Sequence, residues 1–204
     1  MKLTYECLDT SNVEERAAYE RAFYAAFLRA TGNRLIRSLW RWDDGARRLA
    51  TRLPYEDQVV FVGRDERGHI ETAIATNVTL REFQSAAFGF ESPRGAAGCC
   101  EFLTFFTVRD FRLTMKMRFW EACFAELRGR GLHAAYATTA ARLLPIYRRI
   151  GGEVLTETTV DGEARYFLRF SLSRHWMRGA RYVDAGRSLV VKPVRVDIET
   201  LNDD

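Results

Sequence analysis

Along this chain the hydrophobic positions switch repeatedly between a period near two and a period near 3.6, which predicts strands and helices interleaved throughout. Residues 2–8 alternate as an opening strand, and Asp9-Thr10-Ser11-Asn12 supplies helix-capping side chains. A helix is expected from Val13 to about Thr31, its stripe running loosely through Ala18, Ala22 or Phe23, Ala26 and Leu28 or Arg29, with Gly32-Asn33 as a stop signal. A second short helix follows over 34–40. Residues 42–54 are polar and broken, and read as an irregular connection or a short helix. Gln58-Val59-Val60-Phe61-Val62-Gly63 is a buried strand, 64–68 a turn and 69–79 the return strand of a hairpin.

Residues 80–97 exceed an ordinary connection and carry Phe83, Phe88 and Phe90 before a break at Ser92-Pro93-Arg94-Gly95. The strand 99–108 is apolar apart from Glu101, the pattern of a central strand covered on both faces. A helix over 111–129 carries one stripe through Leu113, Met117, Trp120, Phe124 and Leu127, and Gly129-Arg130-Gly131 ends it. A short strand over 133–138, a short helix over 140–150 closed by Gly151-Gly152, and a hairpin of 153–159 with 165–172 complete the core. The tail, with Trp176, Tyr182 and the strand-like Ser188-Leu189-Val190-Val191, reads as an added strand, a lid or a dimer contact.

The order is mixed α/β, and at 204 residues with 47% hydrophobic content it suits one domain over 1–172 with an extension over 173–204. No apolar run approaches the roughly 20 residues of a membrane span, and the start lacks a signal peptide's apolar core, so a cytoplasmic protein is expected. Cys7, Cys99, Cys100 and Cys123 lack paired spacing and the histidines are scattered, so no metal site is expected and the cysteines are read as reduced and buried. Net charge is only +4, and the basic residues are interspersed with acids, which argues against a nucleic-acid partner.

Chemistry concentrates where the strand 99–108 turns into the next helix. Helix N-termini present unpaired N–H groups and a positive dipole end, yet Arg109, Arg112, Lys116 and Arg118 crowd this one. A bound anion would offset that repulsion; side chains simply lying in water would equally leave little to explain. Further on stands Ala141-Arg142-Leu143-Leu144-Pro145-Ile146-Tyr147-Arg148-Arg149-Ile150-Gly151. It resembles the A-x-x-L-Y-x-x-x-G-F signature of the GNAT acyltransferases, with Gly152 at the place of the aromatic. The turn resembles that family's Gln/Arg-x-x-Gly-x-Gly/Ala motif but reads Arg112-Leu113-Thr114-Met115-Lys116-Met117, keeping the arginine and neither glycine.

The resemblance implies a twisted, mixed β-sheet of about six or seven strands flanked by helices, and an acyl-thioester donor on coenzyme A or on the phosphopantetheine arm of an acyl carrier protein. It implies donor contacts from Phe106, Thr107, Val108, Arg109, Arg112, Leu113, Thr114, Met115 and Lys116, with strand N–H groups near Phe106 to Val108 holding the oxyanion and the donor entering where two strands splay after Val108. It makes Tyr147 the acid that protonates the departing thiolate, which suits a phenol with an ordinary pKa near 10. Glu101 has two readings, a base that takes the amine's proton directly or through a water it holds, or a strand-end carboxylate paired with an arginine. The order of elements through residue 70 is similar to acyl-homoserine-lactone synthases and long-chain N-acyl amino acid synthases. Thr76-Asn77 stand near the place of an arginine those synthases usually carry, which argues against lactone synthesis itself.

The expected activity is therefore transfer of a medium or long acyl chain to a small amine or amino acid, with an acyl carrier protein as partner and a homodimer open. An acetyl-CoA-dependent acetyltransferase and a non-catalytic thioester-binding module stand as rivals. Phe83, Phe88, Phe90, Phe102, Phe105 and Phe106 are candidates for an acyl-pocket wall or for plain core.

Overall fold

A computed structural model describes residues 3–28, 34–91, 93, 97–173, 182–185 and 188–191. Strand β1 (Thr4–Cys7) is the sheet edge, which leaves Cys7 exposed, against the expectation of buried cysteines; Cys99, Cys100 and Cys123 are buried. Helix α1 (Val13–Phe27) begins where Asn12 Oδ1 accepts the N–H groups of Glu14 and Glu15 at 2.9 and 3.2 Å. Its deepest face is Ala17, Tyr19, Phe23 and Tyr24, rotated from the expected stripe, because the large rings bury more apolar area than Ala18, Ala22 and Ala26 beside them. Leu28 is exposed, and Arg29 and the predicted stop at Gly32-Asn33 lie outside the described residues.

After α2 (Arg34–Leu39), the stretch read as irregular forms a hairpin, β2 (Arg41–Asp43) with β3 (Arg48–Ala50). Asp43 Oδ1 accepts Ala46 N–H at 2.8 Å and holds the turn. β4 (Gln58–Arg64) and β5 (Ile70–Asn77) form the expected hairpin, and β6 (Cys99–Thr107) pairs antiparallel with β5. Between them a turn of 3-10 helix, Gln84–Phe88, occupies the long connection.

Helix α3 (Leu113–Gly129) starts later than expected. It buries Phe119, Trp120, Ala122, Cys123, Phe124 and Leu127, a wider face than one stripe, while Leu113 stays exposed. β7 (Ala134–Ala140) runs further than its predicted end, and the predicted helix over 140–150 divides into a 3-10 turn, Ala141–Leu143, and α4 (Leu144–Arg149) with Pro145 in its first turn. β8 (Gly152–Val160) and β9 (Glu163–Ser171) form a hairpin whose two turn residues, Asp161 and Gly162, both take positive φ, 51° and 77°, as a tight right-twisted hairpin requires. In the tail, β10 (Tyr182–Ala185) pairs antiparallel with β11 (Ser188–Val191), and Trp176 lies outside the described residues.

The main sheet has seven strands in the order β1-β4-β5-β6-β7-β9-β8. Only β6 and β7 run parallel, joined by α3 as a crossover. Its two faces carry separate cores. One gathers Phe102, Trp120, Phe124, Leu168 and Phe170 under α3; the other gathers Tyr19, Phe23, Trp40, Leu103 and Phe106 under α1. None of the described helices is long and apolar enough to cross a membrane.

Candidate active site

β6 and β7 stay paired for three rungs, Cys99 with Ala134, Cys100 with Ala135 and Glu101 with Tyr136, and are not paired beyond them. The splay therefore opens after Glu101, inside β6, and not after Val108 as expected. One cause is visible in the register: β5 and β6 pair Ala75 with Thr104 and Thr76 with Phe102, so Leu103 is an extra residue, a β-bulge that bends β6. A cleft of about 140 Å³ fills the gap, bounded by Phe102 to Phe105 on one strand and Ala137 to Ala140 on the other.

The bulge also decides which backbone groups face the cleft. Val108 N–H donates to Glu71 O at 2.8 Å, so Val108, and by antiparallel alternation Phe106 and Thr104, point theirs at β5. The N–H groups left facing β7 are those of Phe105 and Thr107. Of the expected oxyanion-holding stretch Phe106 to Val108, only Thr107 has a free orientation. The phenylalanines separate likewise. Phe102, Phe105 and Phe88 line the cleft; Phe83 and Phe90 pack on Phe167, and Phe106 stacks on Phe23 at 5.2 Å.

Tyr147 lines the cleft from the α3 side, half-buried, its ring 6.1 Å from Trp120 and 6.0 Å from Phe170. None of the described residues hydrogen-bonds its hydroxyl, and burial pushes its pKa up to about 12. It is a phenol that holds its proton and has that proton free to give. α4 is fixed under it by Gly152, where a Cβ would stand 2.8 Å from Tyr147 O and 2.9 Å from Phe170. The place of the family's aromatic admits only glycine here.

Glu101 is fully buried and does not line the cleft. Its Oε1 accepts Ser85 N–H at 2.7 Å and Ser85 Oγ–H at 2.6 Å, and its Oε2 accepts Gln84 N–H at 2.9 Å and Asn77 Nδ2 at 3.4 Å. Four donors on two oxygens leave no lone pair for an amine proton. Burial raises its pKa above the ordinary carboxylate value, and these donors offset that only in part. Its partners among the described residues are backbone and side-chain donors of the Gln84–Phe88 turn together with Asn77, in place of the arginine of the second reading.

That turn brings in residues the sequence did not single out. Gln84 lines the cleft, donates Nε2 to the bulge carbonyl of Leu103 at 2.9 Å and accepts Trp40 Nε1 at 3.3 Å. Trp40, Arg142 and Arg165 also line the cleft. No local motif marks Trp40 or Arg165, because β9, α2 and the 3-10 turns meet only in the folded sheet.

The turn expected to meet the donor lies at the start of α3. Arg112 caps the helix without a side-chain bond, and the exposed N–H groups of Leu113 and Thr114 have no acceptor among the described residues, whereas Met115 and Lys116 donate to Arg112 O at 2.9 and 3.3 Å. Of the cations expected to meet an anion, Arg109 binds the buried Glu71 at 2.6 Å and Lys116 binds Asp110 at 3.0 Å, so both are already neutralised. Arg112 remains exposed at the helix start.

No family model matches the chain. No curated protein matches it in sequence. Solved structures do match in fold. BjaI, a CoA-dependent acyl-homoserine lactone synthase solved with SAM and isopentyl-CoA, aligns with TM-score 0.68 at 15% identity over 85% of each chain. TofI, solved in a ternary complex with an inhibitor and MTA, aligns with TM-score 0.65 at 17% identity over 84% of this chain and 92% of its own. A putative acetyltransferase of the GNAT family from Desulfovibrio desulfuricans aligns with TM-score 0.54 at 10% identity over 84% of this chain and all of its own, 100%. The chain therefore has the GNAT fold, in a form shared with the acyl-homoserine lactone synthase BjaI.

Proposed function

We propose that this protein is an N-acyltransferase that moves an acyl group from a phosphopantetheine thioester to an amine by direct attack. The observation that carries this reading is the unpaired edge of β6 beyond Glu101, opening on a cleft lined by a phenol with a free proton. An extended pantetheine arm can pair with that edge as an added strand, with its phosphate at the free N–H groups of Leu113 and Thr114 and beside Arg112. The amine nitrogen attacks the thioester carbonyl, forming the C–N bond as the C–S bond breaks. N–H groups of Phe105 or Thr107 hold the developing oxyanion, and Tyr147 gives its proton to the thiolate. With Glu101 sealed, the amine loses its proton to water at the cleft mouth. Glu101 is a positioning residue, holding the turn that carries Gln84 and Phe88.

The donor reading stays with a carrier protein. Bulky Met115 and Met117 at the places of the family's glycines disfavour the close approach a pyrophosphate needs, and a carrier-borne arm bears one phosphate only. Exposed Val108, Leu113, Leu143 and Ile146, with exposed Arg112, Arg148 and Arg149, suit an acidic protein surface. A cleft of about 140 Å³ is close to the ~150 Å³ cavity that holds one benzene, which supports a medium chain over a long one and keeps the acetyl donor as the second reading. Intact-mass detection of amide product, with donors of two to sixteen carbons on coenzyme A and on carrier protein, tests the proposal. A maximum near about six carbons is expected; no amide from any donor sinks it.

A further inference from the structure

The α1 side of the cleft carries a line of hydroxyl groups that takes no part in donor binding. Thr104 lines the cleft and is itself buried; two residues before Phe106, it shares that ring's face toward the core under α1. Tyr19 meets it there. The Tyr19 ring is fully buried, 5.9 Å from Phe106. Burial raises the pKa of its phenol, and the Thr104 hydroxyl beside it offsets part of that rise. Next along is Tyr55, in the 3-10 turn Tyr55–Asp57, its ring edge-on to Tyr19 at 6.4 Å. The Tyr55 hydroxyl donates to Glu20 Oε1 at 2.9 Å. The Glu20 side chain, 14% exposed, reaches solvent beside Arg48 at 3.9 Å.

The two hydroxyls nearest the cleft are the anomaly. Thr104 Oγ1 and the Tyr19 hydroxyl are both buried, and neither makes a hydrogen bond of ordinary geometry with a described residue. A buried hydroxyl left so costs stability, and in a native core it marks an ordered water or a role in chemistry. One water between Thr104, Tyr19 and Tyr55 has three oxygens to bond, the number a buried water ordinarily takes. With it, hydroxyl groups run without interruption from the cleft to Glu20. Burial, first among the causes, raises the pKa of both phenols, so each keeps the proton that a relay must hand on. Packing alone would be met by phenylalanine at 19, as it is at Phe23 one turn later on the same buried face.

We infer that the proton lost by the acceptor amine crosses the α1 side of the fold, from water in the cleft through Thr104, Tyr19 and Tyr55 to Glu20 and the solvent. This rests on the N-acyltransferase reading and completes it, since attack by an amine releases a proton that Glu101, sealed by four donors, does not take. A cleft of about 140 Å³ filled by substrates has space for few waters at ~30 Å³ each, and those waters need an outlet. The N–H bond of the amine breaks to water. Each O–H on the path then gives a proton onward as it gains another, and the Glu20 carboxylate takes the last and releases it outside. No phenolate forms on the path and nothing is oxidised. One proton leaves this way in each turnover, and one returns from solvent to Tyr147.

Tyr19→Phe, Tyr55→Phe and Glu20→Gln cut the path at three points, each keeping the shape and removing the hydroxyl or the acid. Amide formation is followed by mass with saturating thioester and amine, in dilute and then concentrated N-methylmorpholine, a tertiary amine that cannot itself form an amide. Unfolding is measured on the same samples. Wild type should be insensitive to buffer concentration. Each variant should lose about tenfold or more in kcat in dilute buffer and recover most of it at about 100 mM, because a small base at the cleft mouth replaces the path. KM for the donor should hardly move. Recovery by a mobile base separates a relay from a packing defect, which no base repairs. Glu20→Gln, whose side chain reaches solvent, keeps the test decisive where a buried tyrosine variant folds poorly. Full kcat for Glu20→Gln and Tyr55→Phe in dilute buffer overturns the inference and leaves the acyltransferase reading standing, as does a loss of kcat that the base does not recover. No amide from wild type with any acyl thioester overturns the reading beneath, and the inference with it.

Discussion

Glu101 is fully buried and Tyr147 half-buried at the cleft, and burial has opposite uses in the two. For Tyr147 the raised pKa, about 12, keeps the phenol protonated at every ordinary pH. The rate should then rise with the neutral fraction of the acceptor amine and show no fall up to about pH 10, since a raised pKa moves loss of the acid to higher pH. A descending limb below pH 10 that disappears in Tyr147→Phe would contradict this. The same variant should lower kcat by one to a few orders of magnitude with KM for donor nearly unchanged. Glu101→Gln places an amide against Ser85 and Gln84, both donors, and should destabilise by about 1–3 kcal/mol in denaturant unfolding, with a modest loss of kcat and an unaltered pH profile. A collapse of kcat at unchanged stability would return Glu101 to the role of base.

At the scale of elements, the bulge at Leu103 and the glycine at 152 shape the site more than any one side chain. The bulge turns β6 away from β7, and Gln84 pins it through the Leu103 carbonyl. Gln84→Ala leaves that carbonyl and Trp40 Nε1 without partners, so the expected loss is about 1–3 kcal/mol of stability together with a weakened preference for chain length. Gly152→Ala should cost about 1–3 kcal/mol by overpacking, because the carbonyl of Tyr147 stands at 2.8 Å and is backbone. Relief of the clash displaces α4 and Tyr147 with it, and kcat should fall with stability. Calorimetry beside steady-state kinetics measures both; an unperturbed Gly152→Ala would remove this constraint from the account.

Over the whole molecule, charge is nearly balanced, and local surfaces matter more than the total of +4. If the donor arrives on an acidic carrier, raising salt from about 50 to 500 mM should raise KM for the acyl carrier several-fold and leave KM for acyl-pantetheine almost unmoved. Equal salt sensitivity of the two donors would argue against protein docking. Neutralising Arg112 should reduce that difference, since Arg109 and Lys116 already spend their charge on Glu71 and Asp110.

Local pattern alone determined the order of elements, the β4–β5 and β8–β9 hairpins, the buried strand β6 and the helix that bears Tyr147, because period and turn chemistry act between residues close in the chain. The hairpin 41–50 was not legible, because its strands are three residues each and the stretch is polar and broken, open to an irregular connection or a short helix. Tertiary structure decided where the site lies. The splay follows from one extra residue in the β5–β6 register, the sealing of Glu101 from a turn seventeen and sixteen residues earlier, and the presence of Arg165 at the cleft from the pairing of β9 with β7. Such facts depend on partners distant in sequence, and no local pattern carries them.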